Sequence, residues 1–168
     1  MRGIGWATGL LGLVFLFGAQ AVADTNYQDY LSALPESIQG MERTGDPEGV
    51  NRKGADQDWS AVEQSYADDK GREAKLTILA GTQTSAYKQY KKMSRVHMEN
   101  PEKLIKSLEV SGYDGVMDLD KTGNEGTVAL FLGPETLVVL EAEAVTGPDE
   151  LQTLAEDLPL EAINGQTP

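Results

Sequence analysis

Residues 126–144 read GTVALFLGPETLVVLEAEA, and the reading of this run decides the fold class. Successive side chains on a strand point to opposite faces, so Val128, Leu130 and Leu132 share one face while Ala129 and Phe131 share the other. Gly133-Pro134-Glu135 then makes a turn, because proline presets its dihedral while glycine is free to adopt the one the turn needs. Thr136 to Ala144 returns as a second strand, and Gly115 to Asp120 precedes as a third, which gives an antiparallel meander. Both faces of that meander carry apolar weight near its centre. Each face therefore needs cover, and the expectation is an α+β fold with an antiparallel sheet of about five to six strands and helices packed on both faces. Glu141 and Glu143 read as the exposed face of an edge strand.

The remaining elements follow outward from the meander. After it, Gly147-Pro148-Asp149-Glu150 opens a helix, with proline at the first helical position and acids at the positive end of the helix dipole. Leu151, Leu154, Ala155 and Leu158 form its buried stripe, and Pro159 stops it. Before the meander, Leu104 to Val110 suits a helix by its apolar spacing and a strand by the Ser-Gly that follows, and both readings stay open. Thr82 or Thr84 caps a helix running to roughly Val96, and Asn100-Pro101-Glu102 starts a short turn. Trp59 to Tyr66 and Glu73 to Ala80 are two strands joined through Asp68-Asp69-Lys70-Gly71. Residues 45–58 are rich in Gly, Asp and Pro and read as a loop. Tyr27, Tyr30, Leu31 and Leu34 make a helical stripe, with Thr25 or Asn26 as its cap and Pro35 as its stop.

The first 23 residues form an address. Met1 and Arg2 give a positive start, Leu10 to Phe17 is apolar apart from one glycine, and Ala21-Val22-Ala23 has the small-x-small pattern of a cleavage site before Asp24. The expectation is a cleaved signal peptide over 1–23 and a single domain over 24–168, exported to a bacterial periplasm, with full secretion as second choice. No transmembrane segment is expected after cleavage, and the absence of cysteine excludes a lipid-anchored lipoprotein. Loss of Arg2 with the leader takes the net charge from −13 to −14. Residues 24–108 carry a net −2, and residues 109–168, with Lys121 their one basic side chain, carry −12. Such an acidic half repels nucleic acid and anionic lipid.

Leu34-Pro35 with Gly40 near the start, Gly112-Tyr113-Asp114-Gly115 before the meander, and DELQTLAEDLPLEAI over 149–163 give the chain a further likeness. In element order it resembles small exported α+β proteins of PsbP-like layout. That resemblance implies an antiparallel sheet sandwiched by helices and an accessory role in envelope or membrane complexes, and it assigns no functional residue.

The chemistry that the chain is equipped for is limited. DLDKTGNEG at 118–126 opens like a calcium loop, with Asp118, Asp120, Thr122 and Gly123 in place. Its twelfth position is Ala129 where a bidentate Glu is required, and its eighth is Glu125 where an apolar residue is usual, so it reads as a turn. His97 is the single histidine and continues the apolar face of its helix, where a packed or half-exposed role is expected. With no cysteine, thiol chemistry and thiolate metal sites are excluded, and one histidine cannot build a multi-His centre. No nucleophile elbow, phosphate loop or dinucleotide fingerprint occurs. Pairs such as Asp68-Asp69 or Glu141 and Glu143 arise by chance among 27 acids. The chain reads as non-catalytic, without metal or cofactor.

One feature stands out from that background. Lys88, Lys91, Lys92 and Arg95 recur at i, i+3, i+4 and i+7 on one helical face, with Ala86, Tyr90 and Met93 opposite. Lys103 and Lys106 follow. A solvated face that balances the acidic meander is the plain reading. The functional reading is a docking surface for an envelope protein or other acidic partner. The alternative is a carrier of a small apolar ligand held between sheet and helix, with Trp59, Tyr87, Tyr90 and Tyr113 near its mouth.

Overall fold

The computed structural model describes residues 25–54, 58–81 and 84–166; the leader, its cleavage site before Asp24, and the alternative cap Thr82 lie outside them. Nine strands form one sheet: β1 Ser37–Ile38, β2 Met41–Arg52, β3 Trp59–Ala67, β4 Glu73–Gly81, β5 Met98–Glu99, β6 Lys103–Val110, β7 Tyr113–Asp120, β8 Glu125–Leu132 and β9 Thr136–Glu143. The order is β1-β2-β3-β4-β9-β8-β7-β6-β5, with every neighbouring pair antiparallel. Two meanders, β1–β4 and β5–β9, thus meet at one seam, where Glu73 to Ala80 pair with Glu143 to Thr136. Four short α-helices, α1 Tyr27–Tyr30, α2 Ser85–Met93, α3 Pro148–Glu156 and α4 Leu160–Asn164, and a 3-10 turn Leu31–Ala33 after α1 complete the described chain.

This corrects the expected α+β layout of a smaller sheet between helical layers. Two segments account for the extra strands. The turn signals in 45–58 do not end a strand; Gly45-Asp46-Pro47 is a register shift inside β2, between Thr44 and Glu48. Proline is tolerated there because β1 pairs only with Met41 and Glu42, so most of β2 is an outer edge with no ladder bond to lose on that side. Segment 104–110 is a strand. Ser111 and Gly112 have φ of 51° and 84°, the paired left-handed conformations of a tight two-residue hairpin between Val110 and Tyr113.

The two faces are covered unequally. On one face Leu76, Ile78, Met117, Leu130, Val138 and Leu140 share one buried core with Leu151, Leu154 and Ala155 of α3 and Leu160 and Ile163 of α4. Helix α3 ends at Glu156, ahead of Pro159 as expected, and a further short helix, α4, starts directly after that proline. At the other end of this face, Tyr30 of α1 and Leu34 join the same core. Asn26 caps α1 by accepting from the Gln28 amide at 3.1 Å. The opposite face has a smaller cluster, Val116, Ala129, Phe131, Leu137 and Val139, beneath α2 alone. A single nine-residue helix cannot roof a sheet this wide, so half of the second face stays open.

A buried polar anchor ties the N-terminal segment to the sheet. The Tyr66 hydroxyl donates to the Pro35 carbonyl at 2.9 Å, and the Arg43 guanidinium donates to the Leu34 and Pro35 carbonyls. Burial pushes the Tyr66 phenol up to about 12 from 10.0, against the lowering pull of Arg43. A raised folded value means that the protonated phenol is favoured by folding. Its stabilisation is complete below pH 10.0 and is lost as pH climbs through about 12. Tyr66→Phe is expected to cost about 1 kcal/mol near neutral pH and to remove the late phase of the phenolate absorbance titration. An unchanged late phase in that variant assigns it to another tyrosine.

Candidate functional site

The site sits on the half-open face and has two parts, a helix and the groove beside it. Helix α2 forms because Thr84 caps it, with its hydroxyl accepting from the Tyr87 amide at 3.2 Å. Ala86, Tyr87, Tyr90 and Met93 pack against the apolar patch. The Tyr87 ring meets Phe131 edge-on at 5.2 Å between centroids, and its hydroxyl donates to the Gly133 carbonyl at 3.1 Å. These contacts fix the helix on the sheet.

The four predicted basic residues do not all behave alike. Lys88 and Lys92 are exposed on α2, and Arg95 is exposed in the turn that follows, because the helix ends at Met93 rather than near Val96. Lys91 folds back, and its ammonium stands 4.3 Å from the centre of the Phe131 ring. Lys91 therefore holds the helix down while the other three face outward. Among the described residues, Lys88, Lys92 and Arg95 form no ion pair. His97 lies beyond the helix end and is exposed, not packed on its apolar face.

The groove occupies the uncovered half of the same face and encloses about 590 Å³. Its outermost row crosses the sheet in register: Asp120 opposite Glu125, Glu125 opposite Glu143, and Glu143 opposite Glu73. Directly opposed side chains on neighbouring strands lie within about 5.5 Å, so this row of four like charges opposes folding. The next row is partly neutralised, by Lys75 on Glu141 at 2.6 Å and Lys103 on Asp118 at 3.0 Å. Among the described residues, Glu73, Glu125 and Glu143 form no ion pair. Tyr90 marks the boundary between helix and groove; its phenol is raised by burial first and then by the facing Glu141 and Asp118.

The sequence pattern does not reveal the groove, because the alternation of Glu141 and Glu143 reads as the exposed face of an edge strand. The fold puts β9 at the centre, between β4 and β8, so acids from both meanders converge there. The signal lay in alternate acids on several strands, but the seam that aligns them joins segments some 60 residues apart. The loop at 118–126 is the β7–β8 turn, where the Asp120 carboxylate accepts from the Thr122 amide at 2.8 Å and the Gly123 amide at 2.9 Å. Those bonds hold the Asp120 carboxyl below the usual range.

The aromatic set of the carrier reading is not brought together. Tyr87 and Tyr90 belong to α2 and pack against the sheet patch below it, whereas Tyr113 packs with the core on the other side of the sheet. Trp59 lines a separate cleft of about 290 Å³ with Arg52, Leu79 and the start of α2. No group of three or more metal-ligating side chains with suitable geometry occurs among the described residues.

The fold and site define a class: a wide, single-sheet antiparallel protein whose one open face is divided into a basic helix and an acidic groove. Comparison with known protein families, curated proteins and solved structures finds nothing that matches the chain.

Proposed function

We propose that this chain is an exported, non-catalytic protein of the periplasm that binds a partner protein through the exposed basic side of α2. One observation carries this reading. Lys88 and Lys92 are exposed on an element anchored to the sheet by Tyr87, Tyr90 and Lys91, Arg95 is exposed in the turn directly after it, and the three have no acid of their own among the described residues. Fixed, unpaired and like-charged, they suit an acidic surface and steer its approach. The leader read in residues 1–23 supports an envelope location. Among the described residues, no helix is long and apolar enough to cross a membrane.

The test is capture of partners from envelope extract by wild type and by the triple variant Lys88→Glu, Lys92→Glu, Arg95→Glu. Lys91 is left in place, because reversing it would put a carboxylate against the Phe131 ring. Exposed charges add only about 0–1 kcal/mol each to stability, so the variant is expected to fold. Capture is expected to fall on the order of tenfold at low salt, since charges at an interface act through encounter rate. Lys70→Glu, exposed in the β3–β4 turn, is the control and is expected to change little. Equal capture by wild type and the triple variant overturns the assignment.

A further inference from the structure

The helix and the groove share one face, and each carries the charge that the other lacks. We infer that the partner of α2 is a second copy of this chain, docked face to face so that the basic helix of each copy lies in the acidic groove of the other. This inference rests on α2 being the docking element and names what it docks to.

Three observations support it. The first is arrangement. Helix α2 covers the half of the face around Phe131, Leu137 and Val139, and the groove occupies the half around Glu73, Glu125 and Glu143. A two-fold axis lying in the interface and running across the strands exchanges those halves. It sets α2 of one copy over the groove of its partner, and the reverse, as an isologous contact requires. The second is shape. A helix standing on half of a sheet leaves a step about 10 Å high, and the uncovered half beside it is the matching depression. The third is charge. Lys88, Lys92 and Arg95 on one side and Glu73, Glu125 and Glu143 on the other have no opposite partner among the described residues. Bringing them together also relieves the repulsion along the register row that each copy carries alone.

The available area suffices. The face spans seven strands, β2 to β4 and β6 to β9, about 30 Å at the usual strand spacing. With strands of eight or nine residues at about 3.3 Å each, it offers about 800 Å² per copy, the amount a standard-size interface buries. Each copy is strongly negative overall, so salt screens the repulsion between whole molecules as well as the local attraction. Salt dependence alone is therefore a poor discriminator, and exchange of charge is the better one.

The experiment is sedimentation equilibrium of the purified exported protein and of two variants. One is the α2 triple reversal above. The other is Glu73→Lys, Glu125→Lys, Glu143→Lys, with thermal melts to show that both are folded. Wild type is expected to reach twice the monomer mass at micromolar concentration, each variant alone to remain at monomer mass, and an equimolar mixture of the two to recover the doubled mass. In the mixed dimer one reciprocal contact has its signs reversed and the other is as in wild type, so both pair opposite charges, whereas each variant alone would pair like charges twice. Wild type at monomer mass up to about 100 µM overturns self-association, as does a wild-type dimer that both variants retain. Self-association and envelope capture are read separately. A monomeric wild type whose capture still depends on Lys88, Lys92 and Arg95 leaves the docking function intact and removes the second copy as its partner. A dimer abolished by the reversals, with envelope capture unchanged, keeps the second copy as the partner of α2 and places the captured envelope proteins on another surface.

Discussion

Leu140→Ala is expected to cost about 2–5 kcal/mol, the range for a leucine deleted from a core that cannot close over the gap. Leu140 lies on the middle strand of the sheet, 1 % exposed, directly opposite Leu76 on one side and Val128 on the other. Both neighbours are themselves buried in the same core, to which α3 and α4 contribute. None of these side chains can move inward, because the sheet backbone lies beneath them and helices above. For a domain whose total stability is about 5–15 kcal/mol, that loss is a large share of the whole. Thermal unfolding is expected to shift down by on the order of 10 °C. Val50→Ala, on the outer strand at 47 % exposure, is the matched control and is expected to stay within about 0.5 kcal/mol. Equal shifts for the two substitutions would show that the seam between the meanders is not the centre of the core.

The second large effect concerns the fit of α3 on the sheet. A Cβ placed on Gly126 would collide with the Leu151 Cδ2 atom and press on Cδ1 at 3.2 Å. Leu151 is 0 % exposed and has no room to withdraw. Gly126→Ala is therefore expected to destabilise by about 1–3 kcal/mol through overpacking. Leu151→Ala alone leaves a cavity and is expected to cost about 2–5 kcal/mol. In the double variant the new methyl occupies part of the vacated space, so its loss is expected to be smaller than the sum of the two single losses. Strictly additive losses would place the Gly126 effect elsewhere than in its contact with α3.

How much of this was legible depends on the range of the interactions involved. The hairpins β3–β4, β7–β8 and β8–β9 were readable because their alternation and turn residues are local: Gly133-Pro134-Glu135 joins Leu132 to Thr136 as expected. The start of α3 was readable from Pro148 and its acids, and that of α2 from Thr84. The strand at 41–52 was not, because Gly45, Asp46 and Pro47 carry turn chemistry wherever they occur, and only the absence of a full outer neighbour lets them sit in a bulge. Segment 104–110 was balanced between two periods. Its pairing with β7, through an eight-pair register, decided it.

The same division runs through the site. The basic stripe on α2 follows from helical spacing, so Lys88, Lys91 and Lys92 could be placed on one element without knowing the fold. That Lys91 turns back to Phe131 while Lys88 and Lys92 stay outward depends on a ring 40 residues away. The sequence alone determined the local elements, the polar turn at 118–126, the basic helix and the lack of thiol or multi-histidine chemistry. Tertiary structure alone decided that β9 is central rather than an edge, that nine strands form one sheet, and that Glu73, Glu125 and Glu143 meet in a row beside α2. The reason is that hydrogen bonds between neighbouring strands name no partner by residue type. The pairing of β4 with β9 is chosen by which join buries the most apolar surface on both meanders at once, and that quantity belongs to the whole chain.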